Sequence, residues 1–221
     1  MVSSHVHDHG TVAATVNGEA VSKERVEALL EAVPARDRAT RPEAFARAER
    51  QRRRWATQVV VTDELAQQAC AERGLRGAGN CATSHDGAAA DGPPTTAHPA
   101  ELGSIVATAL AHSPAARTLL TELEREQPVP EEAAWDYYTR NRDRFLTPDA
   151  LRRGVNPFHG ATEADFVPYE RAREGIVRDL RRAAGRRAFF DWLDQARVGV
   201  EYAPGHEHPG DPSHPDHEHR H

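Results

Sequence analysis

The chain has little cysteine, few aromatic residues and no long hydrophobic run. Its 221 residues include two cysteines, and Phe, Trp and Tyr together make up 6%. Two cysteines cannot form a disulfide framework. We therefore expect Cys70 to be a small buried apolar residue and Cys81 a free thiol in a loop, with a metal-binding role for either as the alternative. No stretch reaches the roughly 18 consecutive apolar residues of a transmembrane helix, which predicts no membrane partner.

Targeting and charge features are also sparse. The N-terminal segment MVSSHVHDHG has no basic stretch followed by an apolar one, so it does not resemble a secretory signal and we expect a cytoplasmic protein. The formal net charge is −6 at pH 7, which argues against nucleic acid as a partner. Arginine clusters occur at 52–54 and 181–187. Each lies on a predicted helix that also carries acidic residues, so we interpret both clusters as solvated helix faces.

The first third of the chain predicts a hairpin followed by two helices. Alternating apolar residues within 12–16 lead into Asn17-Gly18, a pair typical of a tight β-turn. Ser22 is a predicted N-cap, after which apolar residues recur at helical spacing. A longer helix is predicted over 42–73, ended by Gly74. Its apolar stripe comprises Phe45, Trp55, Val59, Leu65, Ala69 and Cys70.

The rest of the chain predicts further helices after a loop that has almost no apolar side chains to bury. This loop covers residues 76–99 and is predicted to be flexible. Helical spacing then recurs over 100–112, 114–126, 130–145 and, after an irregular connector, 168–196. The third of these helices is expected to turn Trp135, Tyr138 and Phe145 inward. A short strand, VGVEY, is predicted at 198–202.

The predicted fold class is therefore mostly α, with a small β element of two or three strands that pairs N-terminal and C-terminal segments. We divide the chain into a His-rich segment (1–10), an N-terminal part (11–75), a flexible loop (76–99), a helical part completing the same domain (100–197), and a strand with a His-rich tail (198–221).

The order of elements resembles that of the SurA/PrsA-type chaperones and parvulin prolyl isomerases. The similar segments are ATVNGEAVSKERVEALL, VVVTDELAQQACAERGL, VPEEAAWDYYTRNRDRFLTPDALR and DFVPYERAREGIVRDLRRAAGRRAFFDWLDQAR. The resemblance covers about three quarters of the chain. It implies a helical chaperone scaffold whose C-terminal helix folds back onto the N-terminal part.

The departures from that family limit the function that the resemblance implies. The family's isomerase domain needs on the order of a hundred residues, but only the fifteen residues 153–167 separate Arg152 from the last predicted helix. We therefore expect no active prolyl isomerase. The family is usually exported, whereas this N-terminus shows no export signal. What the resemblance leaves is the helical scaffold, put to another use.

Histidines are concentrated in two short segments. Nine of the thirteen lie in these segments: His5, His7, His9, His206, His208, His214, His217, His219 and His221. In an extended chain, side chains two residues apart point the same way, so a His-x-His pair can bind one ion. Imidazole suits zinc, nickel and copper, and we prefer zinc. If the strands at 12–16 and 198–202 pair antiparallel, His9 and His206 reach the same edge of the sheet.

Other interpretations of the histidines stay open. Pro, Asp, Glu and Gly are interleaved with them at both ends, which is unlike a purification tag. A disordered His-rich tail with weak metal affinity is one alternative. In a second alternative, one of the two clusters forms the site and the other has no role in it.

Two functions follow as hypotheses. The first is a transition-metal-binding protein on a SurA-like scaffold, with the ion held by histidines from both ends. If coordination leaves an open position, this protein is a metal-dependent enzyme acting on a small or carrier-bound substrate. The candidate acid and base groups are then Glu207, Asp211, Asp216 and Glu218. The second hypothesis is a non-catalytic chaperone or assembly factor that binds an apolar peptide and has disordered His-rich tails.

Overall fold

The computed structural model describes residues 11–33, 42–75 and 105–208. Within these ranges the protein is mostly helical, with seven α-helices and one small antiparallel sheet that joins N-terminal and C-terminal strands. The predicted mostly α class with a small β element is thereby confirmed. None of the described helices is long and apolar enough to cross a membrane. The predicted segments 1–10 and 76–99, with Cys81, lie outside the described residues.

The sheet contains the predicted hairpin and a third strand from the end of the chain. Its strands are β1 (Val12–Val16), β2 (Glu19–Ser22) and β3 (Val200–Tyr202), in the spatial order β2-β1-β3. Asn17 and Gly18 join β1 to β2 with φ of 49° and 86°, the positive values that a type I′ turn requires. β3 pairs antiparallel with β1, and Val16 lies opposite Val200. The strand is shorter than predicted because Arg197–Gly199 form a 3-10 turn.

Two helices follow the hairpin, as predicted. They are α1 (Lys23–Ala32) and α2 (Pro42–Glu72). Ser22 caps α1, since its hydroxyl oxygen accepts a hydrogen bond from the backbone N–H of Arg25 at 3.3 Å. Gly74 follows α2 with a φ of 64°, a conformation that glycine adopts without strain.

The prediction for Phe45 is wrong. Phe45 lies on the predicted apolar stripe of α2 but is 63% exposed, whereas Trp55, Val59, Leu65, Ala69 and Cys70 are buried. Helical spacing identifies one face of a helix, but it does not show how far along that face a partner element extends. Burial raises the pKa of the Cys70 thiol, in agreement with its predicted role as a small apolar residue.

The described residues form two compact units. The first comprises residues up to Leu119 together with those from Trp192 onward, and the second comprises Leu120–Asp191. Two further helices are α3 (Ile105–His112) and α4 (Pro114–Arg125). The largest fully buried apolar side chains of the first unit are Leu119, Leu193, Val16, Val21, Val26, Val61 and Cys70.

The second unit is centred on a small aromatic core. Its remaining helices are α5 (Glu131–Arg140), α6 (Pro148–Arg152) and α7 (Tyr169–Ala196). Ala134, Tyr138 and Ile176 are buried at its centre, with Phe145 packed against them. The sequence predicts that Trp135 faces inward, but this residue is 50% exposed. Its ring instead makes an edge contact with Tyr169, with centroids 4.9 Å apart.

Two predicted boundaries in the second unit are wrong. The helix predicted over 130–145 ends at Arg140, and a 3-10 turn follows. Asn141 ends the helix because its side-chain amide donates to the carbonyl of Tyr137 at 2.7 Å, an alternative to continued helix. The connector predicted to be irregular contains α6. Thr147 caps that helix through the N–H of Ala150 at 3.2 Å.

Candidate functional site

The segment that follows β3 carries the predicted site residues that the structure describes. These are His206, Glu207 and His208. The other predicted metal ligands, His5, His7, His9, His214, His217, His219 and His221, lie outside the described residues, as do Asp211, Asp216 and Glu218.

A tight turn connects β3 to His206. The backbone N–H of Ala203 donates to the carbonyl of Ala13 at 2.9 Å, which extends the antiparallel pairing by one residue beyond Tyr202. The N–H of His206 then donates to the carbonyl of Ala203 at 3.0 Å and closes a four-residue turn. Gly205 has a φ of 85°, which the third position of a type II turn requires. This turn ends the extended pairing and directs the chain onto α2.

His206 is buried against α2. The residue is 4% exposed, and its Nδ1 atom lies 2.8 Å from the hydroxyl oxygen of Thr57, which is fully buried. The Thr57 hydroxyl also lies 3.0 Å from the backbone carbonyl of Arg53, to which it donates. A buried polar group is normally hydrogen-bonded in this way. The contact fixes one ring nitrogen of the imidazole.

The surroundings of His206 favour its neutral form. Burial lowers the pKa of the imidazole below its ordinary value, and the positive charges of Lys23 and Arg53 lower it further. The negative charges of Glu207 and Glu27 oppose this shift without reversing it. A neutral imidazole has a free lone pair, which is the form that binds a metal ion. The imidazole of His206 therefore matches the chemistry of a metal ligand.

The same face of α2 carries other buried polar side chains. Arg54, predicted on a solvated helix face, is 3% exposed, so that prediction is wrong. Gln58 is fully buried, and its Oε1 atom accepts a hydrogen bond from the hydroxyl of Tyr202 at 3.0 Å. Its Nε2 atom has no hydrogen-bond partner among the described residues. Two buried polar side chains of α2, Thr57 and Gln58, thus form hydrogen bonds with the C-terminal segment.

The described residues do not form a complete metal site by themselves. Among them no group of three or more His, Cys, Asp or Glu side chains is placed to hold an ion. A zinc site needs three or four protein ligands. His206 fits as one of them, but the described residues do not supply a full set of three.

A pocket lies elsewhere in the first unit, where α1, α2 and the end of α3 meet. Its volume is about 260 Å³. It is lined by the apolar residues Ala28, Leu29, Val59 and Val60 and by the polar residues Arg25, Asp63, His112 and Ser113. Arg25 is held by Asp63 at 3.1 Å and by Glu64 at 2.6 Å. The apolar residues make the pocket suitable for an apolar group.

The buried polar residues of α2 that contact the C-terminal segment, Thr57 with His206 and Gln58 with Tyr202, are not among the site residues predicted from the sequence. Both lie within the predicted helix and are in phase with the buried residues Val61 and Leu65. A polar side chain at a core position of a helix needs a hydrogen-bond partner. The helical phase of Thr57 and Gln58 therefore predicts that each is buried with a hydrogen-bond partner, although it does not identify that partner.

Comparison of the chain with protein-family models, with curated proteins and with solved structures finds no match. The resemblance to SurA/PrsA-type chaperones therefore stays a prediction from the sequence. What the structure defines is a mostly helical protein with a buried histidine close behind β3, and the surroundings of that histidine lower its pKa.

Proposed function

We propose that this protein binds a transition metal ion through histidines of its N-terminal and C-terminal segments. One observation carries the proposal, the antiparallel pairing of β1 with β3 that ends in the hydrogen bond between Ala203 and Ala13. In an antiparallel pair, the residues before one strand and after the other leave from the same end of the sheet. A parallel pair would separate them by about 15 Å for five residues.

Only a few residues separate each His-rich segment from the hydrogen-bonded pair Ala13 and Ala203. His9 precedes Ala13 by four residues, and His206 follows Ala203 by three. Each residue of extended chain spans at most about 3.6 Å. Short connections to two hydrogen-bonded residues thus support a shared site, with His206 as its buried anchor.

The donor atoms determine the ions that the site would take. Neutral imidazole nitrogens suit zinc, nickel and copper, and we propose zinc as the resident ion. A site with one coordination position open would supply Lewis-acid chemistry, which could polarise a carbonyl or activate water. Glu207, Asp211, Asp216 and Glu218 are then the candidate proton-transfer groups, and the substrate is a small or carrier-bound molecule. We also propose that the scaffold is SurA-like and does not catalyse prolyl isomerisation.

Metal analysis of the chain purified without a tag tests this proposal. We expect about one equivalent of bound zinc after dialysis, and less than about a tenth of an equivalent of any transition metal contradicts the proposal. The His206→Ala variant should lose most of the metal. The His159→Ala variant is the matched control, since His159 is exposed in a loop of the second unit.

The pocket of about 260 Å³ supports a second candidate function. In this alternative the protein is a chaperone or assembly factor, and the pocket takes one apolar side chain of an extended client peptide. Deletion of residues 204–221 separates the two functions. Binding of a fluorescent apolar peptide survives the deletion if the chaperone function is correct, whereas zinc binding is lost if the metal function is correct.

A further inference from the structure

We infer that Thr57 holds His206 as the tautomer protonated at Nδ1, so that Nε2 is the atom of His206 that binds the ion. The inference rests on the proposed function for its metal-binding part. The assignment of the tautomer rests on the hydrogen bonds of Thr57 alone.

The Thr57 hydroxyl has a single proton and two polar neighbours. The hydroxyl oxygen is 3.0 Å from the carbonyl oxygen of Arg53 and 2.8 Å from Nδ1 of His206. A threonine hydroxyl has one proton to donate and can accept through its lone pairs. A carbonyl oxygen never donates, so the contact with Arg53 is a hydrogen bond only if the hydroxyl proton points towards that carbonyl. The hydroxyl then has no proton left for Nδ1, and the contact with Nδ1 is a hydrogen bond only if Nδ1 carries a proton and donates it.

The opposite assignment leaves one contact unsatisfied. If the Thr57 hydroxyl donated to Nδ1, its oxygen would face the Arg53 carbonyl oxygen at 3.0 Å with no proton between them. Thr57 is fully buried and His206 nearly so, and an unsatisfied polar contact is costly where water is excluded. The Nδ1-protonated form satisfies both contacts.

This arrangement matches the way that proteins orient metal-binding histidines. A ligating imidazole usually donates its second ring N–H to a fixed acceptor, which sets the tautomer and the ring orientation. Here Thr57 is that acceptor, and its own proton is fixed by the helix backbone one turn earlier. Thr57 is therefore a positioning residue of the proposed metal site.

Three substitutions isolate this role. Thr57→Val keeps the shape of the side chain and removes the acceptor, and Thr57→Ser restores it. Thr62→Val is the matched control, because Thr62 is also fully buried in α2 and donates to the carbonyl of Gln58 at 2.7 Å, four residues earlier. A general loss of stability affects both valine variants, whereas the loss of an imidazole partner affects Thr57→Val alone.

Nitrogen NMR of the imidazole and zinc titration provide the test. In the ¹⁵N-labelled chain with chelator, we expect the proton of His206 on Nδ1, a partial shift to Nε2 in Thr57→Val, and recovery in Thr57→Ser. Zinc affinity should fall about 10- to 100-fold in Thr57→Val and stay unchanged in Thr62→Val. A proton on Nε2 in the unmodified chain overturns the inference, as does equal zinc affinity of the two valine variants. If the unmodified chain binds no zinc, the proposed function fails, and the NMR spectrum decides the tautomer independently.

Discussion

Gly185 of α7 lies against the backbone of Glu124 in α4. A Cβ atom placed on Gly185 would be 2.6 Å from the Cα of Glu124 and 2.9 Å from its backbone nitrogen. Both residues belong to the second unit. No side chain fits between the two helices at this point, so glycine is required there for packing, although it weakens the helix in which it lies.

Gly185→Ala should lower the free energy of unfolding by about 1–3 kcal/mol, because the helices must separate to accept the methyl group. Gly175→Ala in the same helix is the matched control. Its nearest neighbour is the Arg178 guanidinium at 3.8 Å, so alanine should raise the free energy by up to about 1 kcal/mol. Urea unfolding of the two variants measures both effects. If both substitutions raised the free energy of unfolding, α7 and α4 would not pack as described.

Glu131 should make the stability of the second unit depend on pH in the acid range. Hydrogen bonds from Arg173 and then Tyr169 lower the pKa of its carboxyl from 4.5 to about 2. The folded state therefore binds this proton less readily than the unfolded state. The stabilisation is fully present above about pH 4.5 and is lost as the pH falls towards 2.

Urea unfolding of the unmodified chain and of Glu131→Gln between pH 7 and pH 3 measures this dependence. The urea midpoint of the unmodified chain should exceed that of Glu131→Gln by the largest amount above pH 4.5, and this difference should shrink below pH 4.5. Glu132→Gln is the control, since Glu132 lies in the same helical turn and its carboxylate makes no hydrogen bond or ion pair among the described residues. A constant difference across the range contradicts the role of Glu131.

Tyr202→Phe should destabilise the contact between β3 and α2. The Tyr202 hydroxyl donates to Gln58 at 3.0 Å, and the other end of that buried amide has no partner among the described residues. Removing the hydroxyl leaves the whole amide unsatisfied, which costs about 1–3 kcal/mol. Tyr137→Phe removes a hydroxyl that bonds to the exposed side chain of Arg144 and should cost less. Thermal unfolding that ranks the two variants in the opposite order contradicts this account.

Local sequence signals predicted the parts of the fold that local physics determines. Asn17-Gly18 specifies the turn because few other pairs adopt positive φ at both positions without strain. Ser22 and Gly74 mark helix ends for similarly local reasons. The antiparallel direction of β1 and β3 was a geometric hypothesis that the register of Val16 with Val200 confirms.

The environment of His206 could not be predicted in the same way. Its partner Thr57 is 149 residues away in sequence, and no periodicity or capping rule links two such positions. The prediction that Trp135 faces inward is wrong for a related reason. The apolar character of a side chain does not specify which face of a helix packs against another element. The sequence therefore identified a candidate ligand in His206, and the packing of the C-terminal segment on α2 supplied its surroundings.

The melting temperature with and without zinc is the most direct test of a metal site shared by both His-rich segments. Zinc that binds the folded state raises the melting temperature, so we expect a clear increase over the chelator-treated chain. A variant with alanine at His5, His7 and His9 should lose most of this increase, as should His206→Ala, while His159→Ala keeps it. The site is contradicted if zinc leaves the unmodified chain unchanged, or if either His-rich segment alone retains the whole increase.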